Sequence, residues 1–436
     1  MNDEGLVRAV GVRGLTAGIV NYTVGAGIFV LPAVVAARIG GAAVVAYMVC
    51  AVAMALIVLC FAQAGSRVSL SGGVYAYAGT VFGPYVGFIV AMMLWFGSNV
   101  LSSATVANIF VSTLGQLIPA ASEPVMRALI LVLLYGGLAV INTRGVKLGM
   151  RVVEGFAVAK LTPLIVLVVV GIFAVQAANF TWPGIPSPSE ISRTSAMLIF
   201  AFLGVESAVT PSGEVRDPAR TVPRAVFLAL AITTLLYLAV QTVAQGILGA
   251  ALATNTAAPL AAAARIAIGR SGELLVIVGT AISTFGYVAG DMLAAPRGIY
   301  ALARDGLLPS PIAKIHPVRR TPDIAIVLHA AACCAFAITG SFERLLVLAT
   351  LATLLVYLAC CFAAFELRRR NIQNSDGIPF RIPGGPVVPI LASAVLVWLI
   401  SSATRAEFMA LGWMLVVSTA VFFAMRFAGK RVDLRA

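Results

Sequence analysis

Charge is scarce in this sequence. Only 11% of its 436 residues are Asp, Glu, Lys or Arg. A soluble domain carries ~25%, so a water-facing surface of ordinary composition is excluded. No Ser/His pair or His/Asp/Cys cluster suited to catalysis is legible, so an enzyme is not expected. Cys50, Cys60, Cys333, Cys334, Cys360 and Cys361 lie in apolar runs without metal-ligand spacing and read as small buried hydrophobes. Neither metal nor cofactor is expected. A cleavable leader is not expected either, because Met1 to Gly5 is acidic and the first apolar run is too long. The short tails argue against a sensor carrying a soluble domain, and a channel would call for a symmetric filter that asymmetric breaks do not suggest.

What the chain has is apolar length. Apolar residues make up 61% and mean hydropathy is +1.01, which place it in the lipid bilayer as a polytopic, all-α protein. Twelve runs read as spans, near 10–37, 42–65, 82–112, 125–143, 152–176, 192–211, 224–249, 272–303, 322–340, 344–366, 387–404 and 407–427. The third and eighth are longer than ~25 residues, beyond what crosses ~30 Å of hydrocarbon upright, so tilt or projection is expected. The net charge of +13 is dispersed rather than patched, so no nucleic-acid partner is expected. Basic residues concentrate on alternate loops, among them Arg67, Arg144, Lys147, Arg216, Arg220, Arg319, Arg320 and Arg368 to Arg370. By the positive-inside rule those loops and both termini are cytoplasmic.

The loops differ in kind. Ser69 to Gly83 reads as a re-entrant or surface helix, and Thr254 to Gly269 as an amphipathic cap. The Pro- and Gly-rich stretch from Ile378 to Pro389 separates a ten-span core from a two-span appendage.

Two spans are interrupted. Gly25-Ala26-Gly27 sits in the middle of the first, where glycine costs a helix up to ~1 kcal/mol relative to alanine. Small residues there serve either close helix packing or a true break. The sixth span carries Phe200-Ala201-Phe202-Leu203-Gly204-Val205-Glu206, with a carboxylate at membrane depth. Paired interruptions in corresponding places of two halves point to a transporter's substrate site. The expected division is residues 1–180 and 181–370 as inverted five-span repeats, with 371–436 holding the appendage.

Several motifs resemble those of the amino acid–polyamine–organocation (APC) transporter superfamily. They are Gly25-Ala26-Gly27-Ile28-Phe29 with Leu31-Pro32, Ser71-Gly72-Gly73-x-Tyr75-x-Tyr77, Gly204-Val205-Glu206 and Gly213-Glu214-Val215-Arg216-Asp217-Pro218. Val222-Pro223-Arg224-Ala225, the Arg297 to Pro309 motif and Pro379 to Pro386 complete the set in family order. Ser69 departs from it, where proline is common.

The resemblance implies alternating access around a pocket between the broken spans one and six. Spans one, two, six and seven would rock against three, four, eight and nine. The amides of Ala26, Gly27 and Ile28 would then seat a substrate carboxylate at a helix N-terminus. Carbonyls left free at Thr23, Phe200 and Leu203 would accept from its α-ammonium. Phe200 or Phe202 is an aromatic gate, or both are core. Trp95, Ser98, Asn99 and Ser102 share helical spacing on span three and line the pocket, or else act as interhelical glue.

Lys160 resembles the span-five lysine of sodium-independent members. It is read as a cation on the carbonyls of the first break, with snorkelling to the surface as the alternative. Glu206, which the resemblance links to gating and proton coupling, either neutralises a cationic substrate or stays protonated. Lys160, Glu206 and Asp291 are the residues expected to serve coupling or as a structural cation, with Lys160 also a candidate proton site. Asp291 is either a second acidic pocket residue or a partner for Arg297, with the second preferred. His329 reads as buried packing. The expected substrate is an amino acid, with cationic amino acids or polyamines as the alternative. Exchange versus proton symport and the oligomeric state are left open.

Overall fold

The computed structural model describes residues 11–68, 73–144, 150–180, 184, 186–204, 218–373 and 379–427. Among them every regular element is helical. Ser71, Gly72, the stretch 213–217 and Glu206 lie outside the described residues.

The first apolar run forms two helices, α1 (Val12–Thr23) and α2 (Gly27–Ile39), bent between them. A tight turn at Gly40–Ala42 leads into α3 (Ala43–Arg67). The next loop holds α4 (Val74–Phe82), whose Val74, Tyr77 and Val81 are buried, so it packs into the bundle rather than lying on its surface. The third run is α5 (Pro84–Met92), a π-helical stretch (Met93–Val100) and α6 (Leu101–Gly115). Next come α7 (Pro124–Thr143), α8 (Met150–Gly171) and α9 (Pro188–Leu198). α9 tightens into a 3-10 turn at Ile199–Phe202, and α10 (Pro218–Leu248) follows. α11 (Pro259–Ile268) caps the bundle with Leu260, Ala261, Ala263 and Ala264 turned inward. The chain closes with α12 (Arg270–Arg304), α13 (Asp323–Thr339), α14 (Phe342–Arg369), α15 (Val387–Ser401) and α16 (Arg405–Phe427).

Local chemistry explains many of these starts. Proline opens α5, α7, α9 and α11, where its missing N–H costs no helical bond. α9 adds a capping box: Ser187 accepts from the Glu190 amide while Glu190 accepts from the Ser187 amide.

Seven helical stretches of the described residues are long and apolar enough to cross a membrane, including Pro84–Gly115 and Arg270–Arg304 at 32 and 35 residues. At ~1.5 Å per residue both outrun a ~30 Å hydrocarbon core. The outer surface suits lipid. Phe173 is 89% exposed and Trp413 69%, with Val125, Leu133 and Val416 also outward. Apolar residues so exposed over so many helices belong against hydrocarbon. The molecule is a multi-pass membrane protein.

Inside, α10 packs on α1, α3 and α8, and α12 packs on α6 and α8. α13 lies on α6 and α7, while α14 contacts α3, α6, α15 and the π-helical stretch. A polar anchor fixes the turn before α15. The buried Gln63 donates to the Ala364 carbonyl at 2.8 Å and accepts from the Ile382 amide at 3.3 Å.

Candidate functional site

Gly25-Ala26-Gly27 is a true break. The Gly25 amide donates back to the Thr23 carbonyl at 2.8 Å, which turns the chain out of α1. α2 restarts at Gly27 without a side-chain cap. The amides of Ala26, Gly27 and Ile28 therefore find no acceptor among the described residues. Yet all three residues are buried. Unpaired donors at a helix N-terminus are where an anion is favoured in general.

The second break abuts the first. After the turn at Ile199–Phe202, Leu203 is extended and Gly204 takes a φ of 109°, a conformation favouring glycine. A Cβ on Gly27 would lie 3.0 Å from Ala201 Cα. Gly25, in contrast, has room: its nearest side-chain neighbour would be Tyr287, at 3.9 Å.

Tyr237 of α10 straddles both breaks. Its hydroxyl lies 2.8 Å from the Ala201 carbonyl and 3.0 Å from the Thr23 carbonyl, sharing one proton between two acceptors. The Phe202 ring meets the Tyr237 ring edge-on, with centroids 5.2 Å apart. Phe202 is thus packed core, and Phe200 is also buried at 7% exposure.

This geometry corrects the expectation of free carbonyls at Thr23 and Phe200. Thr23 already accepts from Gly25 and Tyr237, and Phe200 accepts from the Leu203 amide at 3.4 Å. A break inside hydrocarbon closes its own carbonyls where neighbouring donors reach them. The unpaired side-chain atoms beside the first break are Thr23 Oγ1 and Asn21 Oδ1, both buried with no partner among the described residues. Half-buried Lys160 of α8 donates its ammonium to the Asn21 carbonyl in the last turn of α1, so it points into the bundle.

The span-three residues do not act together. Trp95 donates to His329 Nδ1 of α13 at 3.2 Å, whereas Ser98 accepts from Thr353 of α14 at 2.9 Å. The π-helical winding widens the turn, so 3.6-residue spacing no longer reads out one face. The Ser102 hydroxyl is buried without a partner among the described residues, and Asn99 is half-buried.

Asp291 corrects a second expectation. Its carboxylate lies 2.9 Å from His329 Nε2, while Arg297 donates to the Leu293 carbonyl of its own helix. Arg297 follows Asp291 by six residues on α12, which turns it off the Asp291 face, whereas His329 projects from the neighbouring helix. His329 is accordingly a paired polar group and not passive packing. Tyr237 and Tyr287 were missed in the sequence. Tyr237 carried a signal: a phenol amid Leu235, Leu236 and Leu238 must find a hydrogen-bond partner when buried.

The comparisons with known proteins agree with this architecture. The profile of the family described as amino acid permease matches residues 10–427. The chain is 28% identical to the methylthioribose transporter of Bacillus subtilis, covering 96% of this chain and 94% of that one. It is 26% identical to the serine/threonine exchanger SteT of the same organism, covering 97% and 98%. It is also 28% identical to the branched-chain amino acid permease BcaP of Lactococcus lactis, covering 84% and 83%. With the profile running through both breaks and nearly every helix described, the chain belongs to the amino acid permease family of the APC superfamily.

Proposed function

We propose that this protein is a secondary transporter that moves amino acids across the cytoplasmic membrane by alternating access. The observation that carries this reading is the set of unpaired, buried amides of Ala26, Gly27 and Ile28, set against the second break at Ala201. They suit a carboxylate and leave the substrate's side chain unread. The room at Gly25, with Tyr287 across from it, lets the ligand approach the backbone. Glu206, which follows the second break in sequence, lies outside the described residues.

In this reading the chain has twelve spans: residues 1–180 and 181–370 are inverted repeats, and 371–436 hold the last two helices. Both termini are cytoplasmic. Helices α1, α2, α3, α9 and α10 rock against α5 to α7, α12 and α13. Transport is sodium-independent, because the Lys160 ammonium holds α8 to the end of α1 where a cation would otherwise bridge them.

Neutral amino acids are the favoured substrates. The cationic alternative relied on two acids, and one of them, Asp291, is engaged by His329. The similarity to a methylthioribose transporter supports a second reading, a neutral thio-sugar substrate.

Uptake and counterflow in proteoliposomes, across amino acids, polyamines and methylthioribose, test the proposal. Saturable uptake of neutral amino acids, unchanged when choline replaces sodium, is expected. Uptake confined to methylthioribose, sodium-dependent uptake, or none would contradict it.

A further inference from the structure

His329 is fully buried, and its ring is engaged at both nitrogens. The Trp95 indole N–H points at Nδ1 from 3.2 Å, Asp291 Oδ2 lies 2.9 Å from Nε2, and Cys333 Sγ is 3.5 Å from Nε2. An indole N–H can only donate. Nδ1 must therefore be the acceptor, and the proton of the neutral ring sits on Nε2, donated to Asp291. Trp95 fixes this tautomer.

A further proton arriving at the pair has two seats. On the Asp291 carboxylate it leaves the Trp95 and Nε2 bonds intact. On Nδ1 it would set two donors against each other and break the bond to Trp95. The hydrogen-bond pattern leaves the carboxylate as the seat that breaks no existing bond, and it is also the reachable one: 8% of the Asp291 side chain is exposed, against none of the His329 side chain. Among the described residues, the titratable groups facing the pair are Cys333 on its own helix and Tyr135 from α7, whose hydroxyl bonds Ser103 of α6.

The same atoms bring one oxygen, one nitrogen and one sulfur within 4.8 Å of one another, the donor set of a metal site. A metal on Nε2 would drive the ring proton to Nδ1, where a ligating histidine needs an acceptor. Trp95 supplies a donor there. The site suits a proton and opposes a metal.

Its position ties it to transport. Asp291 lies one helical turn from Tyr287, the side chain nearest Gly25, so the two share a face of α12. We propose that Asp291 and His329 form a proton-binding site that couples the proton gradient to substrate movement. The Asp291 carboxylate takes one proton from water on one side of the membrane as substrate enters and returns it to water on the other. Trp95 is a positioning residue that keeps the proton off His329. This inference rests on the transporter reading and deepens it by naming the coupling ion.

Proteoliposomes loaded with a pH-sensitive dye test it, with substrate-driven proton entry read beside substrate counterflow, which moves no net proton. Asp291→Asn should reduce proton entry about tenfold or more relative to counterflow. Trp95→Phe should move the midpoint of the pH–uptake profile upward, because His329 can then take a proton as well. Saturable uptake by the unaltered protein without proton entry would overturn the coupling site while sparing the transporter reading; absence of any uptake would overturn that reading itself. An unshifted midpoint in Trp95→Phe would overturn the tautomer argument even if Asp291→Asn failed to fold. Thermal stabilisation by zinc ions that disappears in Cys333→Ser would overturn it in favour of a metal site.

Discussion

Gly27 and Ala201 are in backbone contact: a Cβ on Gly27 would fall 3.0 Å from Ala201 Cα and 3.1 Å from Ala201 Cβ. The N-terminus of α2 and the turn after α9 are thus held against each other by the absence of a side chain. Gly27→Ala must push the breaks apart, at about 1–3 kcal/mol for overpacking. Its uptake should fall at least tenfold, a loss equal to ~1.4 kcal/mol in the barrier. Gly25→Ala fits and should keep most uptake, whereas Gly25→Leu fills the space toward Tyr287 and should abolish substrate binding. Uptake kinetics beside thermal unfolding in detergent separate the two effects.

Tyr237→Phe removes a hydroxyl that serves both breaks. Roughly 1 kcal/mol of stability should be lost, the scale of hydrogen bonds within membrane bundles. Transport should suffer more than stability, since the Ala201 and Thr23 carbonyls would no longer be held together. A melting-temperature drop without a change in uptake would show that the tyrosine only packs.

Lys160→Met cuts the link between α8 and the end of α1. Uptake should drop about tenfold or more, which a coupling change of ~1.4 kcal/mol suffices to produce. The parent protein should transport equally in sodium and choline. Sodium stimulation of the parent would contradict the role given to the lysine.

Gln63→Leu tests the fold apart from the site. It strips partners from the Ala364 carbonyl and the Ile382 amide. A loss of about 1–3 kcal/mol is expected from buried groups left unpaired. Thermal unfolding in detergent should show it, with the apparent Km of residual transport unchanged.

Much of this arrangement was legible in the sequence, because bilayer length and apolar runs leave helices few alternatives. The break at Gly25 to Gly27 was readable for the same reason: glycine amid hydrocarbon-length apolar sequence needs a cause. Partner choice was not readable. Asp291 stands near Arg297 in sequence, yet it pairs with His329 across helices, where tertiary packing decides. Trp95 and Ser98 kept helical spacing on paper, but the π-helical stretch rotated them toward different helices. The free carbonyls at Thr23 and Phe200 were inferred without their donors, and the Tyr237 hydroxyl comes from a span whose sequence shows only one phenol among leucines.

The central claim is that backbone amides at α2 read the carboxylate of the substrate. The most direct measurement compares, for the best transported amino acid, its thermal stabilisation of the purified protein with that by its decarboxylated amine and its methyl ester. Binding that depends on the carboxylate, with the amine at least about tenfold weaker (~1.4 kcal/mol), is the predicted result. Equal stabilisation by the amine would contradict the account, because no group at Ala26 to Ile28 would then be reading the ligand.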